Sequence, residues 1–250
     1  MLKDIMVIKF GGSLSSNKEA WKKFLSDLSS MSKKNNIVLV HGGGPEVSSW
    51  LERLGIATKF VDGLRYTDEA SLEVVEMVLS GKVNKTIVSE LLKKKINAVG
   101  ISCKDGLVCL STRNDKLGFV GEPCKVNDKL IQALLKNKFL PVVSSLSINE
   151  KGETLNVNAD SVAMALAKAL KAKRLVLLTD VEGVLDSNKK TISRIRAKEI
   201  PGLISQGIVT GGMIPKVKAC ADSIKAGVKE VWIASGIYGI KQLKGTVISK

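Results

Sequence analysis

Short apolar runs alternate with helical segments along the whole chain, and this alternation constrains the fold more than any other feature. Several runs are continuously apolar, as strands covered on both faces tend to be. The pattern predicts an α/β fold, a three-layer αβα sandwich with a mainly parallel central sheet. Predicted strands cover residues 5–10, 36–41, 97–102, 139–146, 174–180 and 230–235, and predicted helices cover 17–33, 45–54, 68–80, 82–95, 127–137, 158–171 and 213–226.

The region 103–126 departs from this alternation, because its short apolar stretches are separated by turn residues. We expect hairpins there, at one edge of the sheet. No low-complexity linker divides the chain, so the sequence predicts one continuous sheet with a soft boundary between lobes. The N-terminal lobe would span residues 1–172, with acceptor binding and dimerisation, and the C-terminal lobe 173–250, with nucleotide binding.

The charge balance of the 250-residue chain is strongly basic, with a formal net charge of +15. Aromatic residues make up only 4%, so platforms for stacking bases are scarce. Anionic metabolites are therefore the expected partners, and nucleic acid is not. The four cysteines form no CxxC pair and the single histidine completes no zinc pattern, which predicts reduced thiols in a cytoplasmic protein. No apolar run is long enough to cross a membrane.

Two predicted strands end in glycines that would bring main-chain N–H groups close to an anion. "VIKFGGS" places Lys9 at a strand end before Gly11 and Gly12, and "VLVHGGGPEV" places three glycines before a helix opened by proline. Both arrangements suit a phosphate, although neither is a Walker motif or a dinucleotide fingerprint. For the first arrangement, a lysine at a strand end followed by an ordinary turn is an equally good interpretation. The lone His41 at the second strand end is more often a structural residue than a catalytic one.

Three further segments carry polar residues at strand–helix junctions. In "LNVNAD", one of Asn156, Asn158 and Asp160 is the simple candidate for the cap of the following helix. Only one residue can cap, and Asp160 could instead be a fixed counter-charge for nearby lysines. "LLTDVEGVLD" is a strand with an acidic loop suited to ribose hydroxyls or hydrated magnesium, or simply a turn closing at Gly183. "GIVTGGMIPKVKAC" places a diglycine before a helix with Lys216, a residue that by itself would be an ordinary solvent-exposed lysine.

Taken together, these junctions and the two lysines resemble the amino acid kinase family over the whole chain, and most of all its N-acetylglutamate kinases. The resemblance implies the fold of that family and an ATP-dependent phosphorylation of the side-chain carboxylate of N-acetyl-L-glutamate, in arginine biosynthesis. The segments that carry it are "KFGGS", "HGGGPEV", "DGLRYTD", "EVVEMVLSGKVNK", "GFVGEP", "LPVVSSL", "LNVNAD", "LTDVEGVL" and "GGMIPKV".

The resemblance also implies roles for individual residues. Lys9 would stabilise the transferring phosphoryl group, Lys216 the leaving ADP, and Asp160 would hold both lysines. Magnesium would be held mainly by the ATP phosphates, so no protein metal ligand is expected. The implied acceptor-binding residues are Gly43, Gly44, Arg65 and Asn156, and the implied nucleotide-binding residues are Gly11, Gly12, Asp180, Val181, Glu182, Gly183, Val184, Leu185, Ile208, Val209 and Thr210.

Alternatives remain open. Tyr66 after Arg65 and the basic charge also suit related kinases whose aminoadipate or glutamate substrate is carried on a small acidic protein, whereas "NVNAD" and "GGMIPKV" favour the free acetylated amino acid. A non-catalytic binding module is the alternative from another functional class. The joint presence of Lys9, Asp160 and Lys216 speaks against it.

The chain begins almost directly at its first strand, without the additional helix of arginine-inhibited hexameric members. A homodimer insensitive to arginine is therefore expected.

Overall fold

Helices and strands alternate as the apolar pattern predicts in the computed structural model, which describes residues 2, 4–11, 14, 17–61 and 63–250. The strands are β1 Ile5–Phe10, β2 Asn36–His41, β3 Lys59–Val61, β4 Leu64–Tyr66, β5 Ala98–Ser102, β6 Cys109–Arg113, β7 Val120–Val126, β8 Leu140–Ser144, β9 Leu146–Ile148, β10 Thr154–Val157, β11 Arg174–Thr179, β12 Arg194–Arg196, β13 Glu230–Ser235 and β14 Gly245–Ser249. The α-helices are α1 Lys18–Met31, α2 Gly44–Arg53, α3 Glu69–Glu76, α4 Asn84–Lys93, α5 Lys129–Lys136, α6 Ala159–Ala169, α7 Ile200–Ser205 and α8 Met213–Lys225.

The central sheet has eight strands in the order β12-β14-β13-β11-β1-β2-β8-β5. All neighbouring strands are parallel except β13 and β14, so β12 and β14 run opposite to the other six strands. Helices cover both faces, which confirms the predicted three-layer α/β fold with a mainly parallel sheet. The structure also forms β12 and β14 beyond the predicted strands.

The two faces of the sheet belong to different hydrophobic cores, because successive side chains of a strand point to opposite faces. In β1, Val7 packs in the core that contains α6 and α8, whereas Met6 and Ile8 pack in the core that contains α1 and α4. The same alternation places Lys9 on the face of Val7. In β2 it places His41 on the other face, with Leu39.

The region 103–126 forms the predicted antiparallel pair, β6 and β7, but not at an edge of the central sheet. These strands join β9 and β10 in a separate closed four-stranded barrel. The expected location was wrong because the apolar run 139–146 is not one strand. It divides after Ser144 of β8, and β9 leaves the central sheet to pair with β10.

The helices predicted at 68–80 and 82–95 are not separated by a break. A π-helix, Met77–Val83, joins α3 directly to α4. Such wide turns are uncommon and occur often beside functional sites. None of the helices in the described ranges is both long and apolar enough to cross a bilayer.

Candidate active site

The carboxyl ends of neighbouring central strands meet at one edge of the sheet. β1 lies between β2 and β11, all parallel, and Lys9 is in register with Val40 on one side and Leu177 on the other. In open parallel sheets, ligands bind at this edge. Because Lys9 is one residue from the end of β1 and faces α6 and α8, its long side chain reaches the amino-terminal ends of those helices.

Asp160 joins the two lysines that the sequence singled out. Its carboxylate lies 2.9 Å from Lys9 Nζ through Oδ1 and 3.2 Å from Lys216 Nζ through Oδ2. Asn158 is the residue that caps α6, since its side chain accepts the N–H of Asp160 at 2.8 Å. The cap leaves the carboxylate of Asp160 available for both ammonium groups.

The charge of this cluster suits an anion. Burial alone would raise the pKa of Asp160, whose side chain is 16% exposed, but the attraction of Lys9 and then Lys216 outweighs burial and lowers that pKa. Asp160 is therefore ionised at neutral pH. Two ammonium groups around one carboxylate leave an excess of one positive charge at the edge of the sheet.

A cavity of about 270 Å³ opens beside Lys9 and is bordered by the main chain of 42–44, Arg65 and Asn156. Its size is close to the lower end of the range for small-molecule sites, about 300 Å³. The lack of side chains at the three glycines brings the main chain to the cavity wall. A methyl group at Gly43 would force the side chain of Leu79 to move, because a Cβ there would lie 2.7 Å from a methyl carbon of Leu79.

Arg65 is held at the cavity wall by one half of its guanidinium group. Nη2 donates to Ser48 Oγ at 2.6 Å and to the Gly44 carbonyl at 3.2 Å, and the group lies over the ring of Phe60. Nη1 is buried without a hydrogen-bond partner among the described residues, and burial lowers the pKa of Arg65. A buried guanidinium nitrogen with no acceptor is costly unless a ligand supplies one, and a carboxylate is the ligand that fits.

Asn156 is fixed by a link between the barrel and β4. Its Nδ2 donates to Thr67 Oγ1 at 3.1 Å. Thr67 is fully buried and exchanges main-chain hydrogen bonds with Leu117 at 3.0 Å and Phe119 at 2.7 Å. Thr67 Oγ1 also donates to the Arg65 carbonyl at 3.3 Å. Arg65 and Asn156, which both border the cavity, are therefore connected through Thr67.

A second cavity, of about 190 Å³, lies on the other side of Gly11. It is bordered by two residues predicted to bind the nucleotide, Gly11 and Asp180, and by Thr179, Gly236 and Ile237, which were not predicted. The signal for Gly236 and Ile237 was present in the sequence, because the run 230–235 has the same strand-then-glycine form as the two junctions that were singled out. Thr179 is the residue directly before the predicted Asp180. Gly12, also predicted, lies outside the described residues.

The remaining predicted nucleotide residues lie in two loops with different exposure. Glu182 accepts a hydrogen bond from Tyr238 Oη at 2.8 Å, which connects the loop after β11 to the turn after β13. Val184 and Val209 are buried in the core, so only their main chain can contact a ligand. Val181, Leu185 and Thr210 are exposed, Ile208 is half-buried, and Gly183 is buried.

Comparison with known proteins shows which family the chain belongs to. Residues 4–235 match the model of the amino acid kinase family. The chain is 53% identical over 249 residues to an acetylglutamate kinase of Endomicrobium trichonymphae, with full coverage of both, and 45% identical to one of Geobacter metallireducens, covering 92% of this chain and 84% of that one.

Solved structures share the fold. A Streptococcus mutans structure superposes with a TM-score of 0.86 at 32% identity, covering 99% of both chains. A Giardia carbamate kinase superposes with a TM-score of 0.76 over 99% of both chains, and at 19% identity it shows the fold alone. The sequence relatives and the family model together settle the family: the chain belongs to the amino acid kinases and, within them, to the acetylglutamate kinases.

Proposed function

We propose that this protein transfers the γ-phosphoryl group of ATP to the side-chain carboxylate of N-acetyl-L-glutamate, a step of arginine biosynthesis. The observation that carries the proposal is the carboxylate of Asp160, which holds Lys9 and Lys216 together at 2.9 Å and 3.2 Å beside the glycine-lined cavity. Membership in the acetylglutamate kinases supports the same substrate.

The chemical problem is that two anions must meet. The acceptor carboxylate is already ionised, so no general base is needed, and catalysis consists of alignment and charge neutralisation. A carboxylate oxygen forms a bond to the γ-phosphorus while the bond from that phosphorus to the bridging oxygen breaks, and ADP keeps the electron pair. Lys9 neutralises the transferring phosphoryl group and Lys216 the charge that develops on ADP.

Asp160 acts through the two lysines rather than on the substrates. Its ionised carboxylate offsets part of their mutual repulsion and fixes the direction of both ammonium groups. The lysines keep one excess positive charge, which is the charge that a transferred phosphoryl group meets.

The acceptor binds in the first cavity by its remaining polar groups. Arg65 pairs with the α-carboxylate, because Nη1 is a buried donor that lacks an acceptor among the described residues. Asn156 binds the acetamido group, and the N–H groups of Gly43 and Gly44 donate to the reacting carboxylate. All four residues border one cavity.

The nucleotide extends from Gly11 and Gly12 across the C-terminal lobe, 173–250, whereas the acceptor belongs to the N-terminal lobe, 1–172. Its enclosing segments are 180–185 and 208–210. A magnesium ion would be held mainly by the nucleotide phosphates. Among the described residues, no group of three or more acidic, histidine or cysteine side chains is arranged to hold a metal. When bound, the ion supplies further charge neutralisation.

A hydroxylamine assay tests the proposal, because hydroxylamine traps acyl phosphates as hydroxamates. We expect ATP-dependent hydroxamate with N-acetylglutamate and little with glutamate or aspartate. Lys9→Ala and Lys216→Ala should each lose activity by about 100-fold or more. Lys218→Ala is the matched control, because Lys218 is exposed on the same helix as Lys216, and this variant should retain full activity. Unchanged activity in Lys9→Ala would contradict the assignment.

The second candidate is the kinase for an amino acid carried on an acidic protein. Tyr66 beside Arg65 and the net charge of +15 favour it. Turnover of free N-acetylglutamate separates the two candidates, since a carrier-dependent kinase would give no hydroxamate with the free compound.

We also propose a homodimer insensitive to arginine that works in the cytoplasm. Met77 and Leu92 support an interface, because they are 61% and 52% exposed on the continuous helical segment 69–93. Three of the four free cysteines are buried, which suits a reducing compartment. Gel filtration with light scattering, with and without arginine, measures the assembly, and a hexamer would contradict it.

A further inference from the structure

We propose that His41 and Asn84 are positioning residues, which form a buried hydrogen-bond chain that orients the Gly42–Gly43 peptide and directs the Gly43 N–H to the acceptor cavity. The proposal deepens the function proposed above and rests on it. It assigns a role to the single histidine of the chain, which the mechanism does not otherwise use.

His41 cannot reach the reacting groups itself. It is fully buried at the end of β2, on the face of the sheet opposite Lys9, and packs beside Phe10. Its neighbours there are on α4, not on the helices that carry Asp160 and Lys216. Any contribution to the reaction must therefore pass through the glycines that follow it.

Asn84 determines which nitrogen of His41 carries the proton. Asn84 Nδ2 donates to the carbonyl of Val142 at 2.9 Å and lies 3.0 Å from His41 Nε2, while Lys85 Nζ donates to Asn84 Oδ1 at 3.1 Å. An ammonium group has no acceptor and a carbonyl has no donor, so these contacts fix the orientation of the amide. Nε2 of His41 therefore accepts.

The remaining proton is on Nδ1, which donates to the carbonyl of Gly42 at 2.8 Å. Asn84 itself is well fixed, since it is fully buried and fills the space above Gly100, where a Cβ would overlap its Oδ1. The chain of hydrogen bonds thus runs from the rigid strands β8 and β5, through α4 and the imidazole, to one glycine carbonyl.

This carbonyl sets the direction of the next N–H. In a trans peptide the C=O and N–H point in opposite directions, and the described chain has no cis bond. With the Gly42 carbonyl held at His41, the Gly43 N–H points away from the buried imidazole. Within the described residues it donates to no loop or turn carbonyl, and Gly43 borders the acceptor cavity.

Two isosteric substitutions separate this role from simple packing. In His41→Asn the amide nitrogen can take the place of Nδ1 and keep the bond to Gly42, whereas in His41→Gln it takes the place of Nε2 and loses that bond. We expect His41→Asn to keep kcat within about threefold of wild type and His41→Gln to lose about tenfold or more, with the KM for ATP unchanged. Both remove the ring, so thermal melting should drop alike.

Equal kcat losses in the two variants would overturn the proposal, because filling of space alone predicts them. A measurement on the wild-type protein covers the case in which a variant does not fold. With histidine labelled by ¹⁵N, the single imidazole should show a protonated Nδ1 and an unprotonated Nε2 at pH 7. The opposite tautomer would also overturn the proposal. Failure of the wild type to phosphorylate N-acetylglutamate would instead contradict the proposed function and leave this tautomer result intact.

Discussion

At the scale of single residues, the charge of Asp160 is the feature on which the cluster depends. Asp160→Asn keeps the shape of the side chain but leaves two adjacent ammonium groups without their shared carboxylate. We expect kcat to fall by about 100-fold, since misdirected donors lose the stabilisation of developing charge. Steady-state kinetics measures this, with Asp222→Asn as the control, because Asp222 is an exposed aspartate paired with Lys225. Equal activity of the two variants would exclude a role for Asp160.

Burial of His41 gives the folding free energy a dependence on pH. Desolvation, assisted by the nearby positive charge of Lys85 and opposed by the bond to Gly42, lowers the pKa of His41 from 6.5 to about 4. The pKa of His41 is lower in the folded protein than in the unfolded one, so protonation favours the unfolded state. The folding free energy contributed by the neutral, buried imidazole is therefore fully present above pH 6.5 and is lost as the pH falls toward 4. The loss approaches about 3 kcal/mol, or about 1.4 kcal/mol per pH unit within that window.

Urea unfolding of wild type and His41→Asn between pH 6.5 and 5 measures this contribution. Carboxylates with lowered pKa values also lose stabilisation in acid, but they do so equally in both proteins, so the difference isolates the histidine. Wild-type stability should fall more steeply than that of the variant. Parallel curves would mean that His41 titrates normally in the folded protein.

At the scale of elements, the contact between Gly118 and Thr67 holds the end of β4, the strand that carries Arg65. Gly118 has φ of +75°, and a Cβ there would overlap the carbonyl oxygen of Thr67. Gly118→Ala should therefore displace β4 and with it Arg65, raise the KM for N-acetylglutamate by about tenfold, and destabilise the protein by about 2 kcal/mol or more.

Gly152→Ala is the matched control for this change. Gly152 has φ of +86°, but apart from its two chain neighbours no described residue has an atom within 4 Å of the position that a Cβ would take there. Its substitution therefore adds only the backbone strain of about 1 kcal/mol. Its KM should equal that of wild type. If the two variants raise KM equally, the contact with Thr67 does not position Arg65.

Much of the element order could be predicted from the sequence, because apolar periodicity is a local property. The run at 36–41 matches β2 at both ends, and the capping side chain before α6 is adjacent to its target. The barrel could not be placed, since the pairing of β9 with β10 depends on where β8 ends in three dimensions. The π-helix at 77–83 was also missed, because the wider turn of a π-helix leaves no signature in amino-acid composition.

At the scale of the whole molecule, the site combines residues from distant parts of the chain. The sequence could single out Lys9 near the end of a strand and Asp160 at the start of a helix by their positions. Lys216 could be singled out only through the family resemblance, because a lysine on a helix is ordinarily exposed and its helix α8 follows α7 rather than a strand. The hydrogen bonds of Asn84 and of Asp27 could not be predicted, because their partners are far away in sequence and include main-chain atoms that every residue carries.

Asp27 connects the first helix to the last part of the chain. Its Oδ2 accepts the N–H groups of Ile240 at 2.8 Å and Lys241 at 3.1 Å, although 213 and 214 residues separate them. Asp27 is buried, and the turn that it holds closely follows Gly236 and Ile237, which border the second cavity. The carboxylate thus fixes the turn that follows the second cavity to the first helix.

Asp27→Ala leaves two main-chain donors without their acceptor, and we expect a loss of about 3 kcal/mol in unfolding free energy. Because the released turn closely follows Gly236 and Ile237, which border the second cavity, the KM for ATP should rise several-fold while the KM for N-acetylglutamate stays constant. Lys22→Ala, an exposed position on the same helix, is the control for helix effects. Gly236 and Ile237 border the second cavity and are not among the described residues that border the first. An equal rise in both KM values would therefore show that Asp27 supports the whole fold and not only the second cavity.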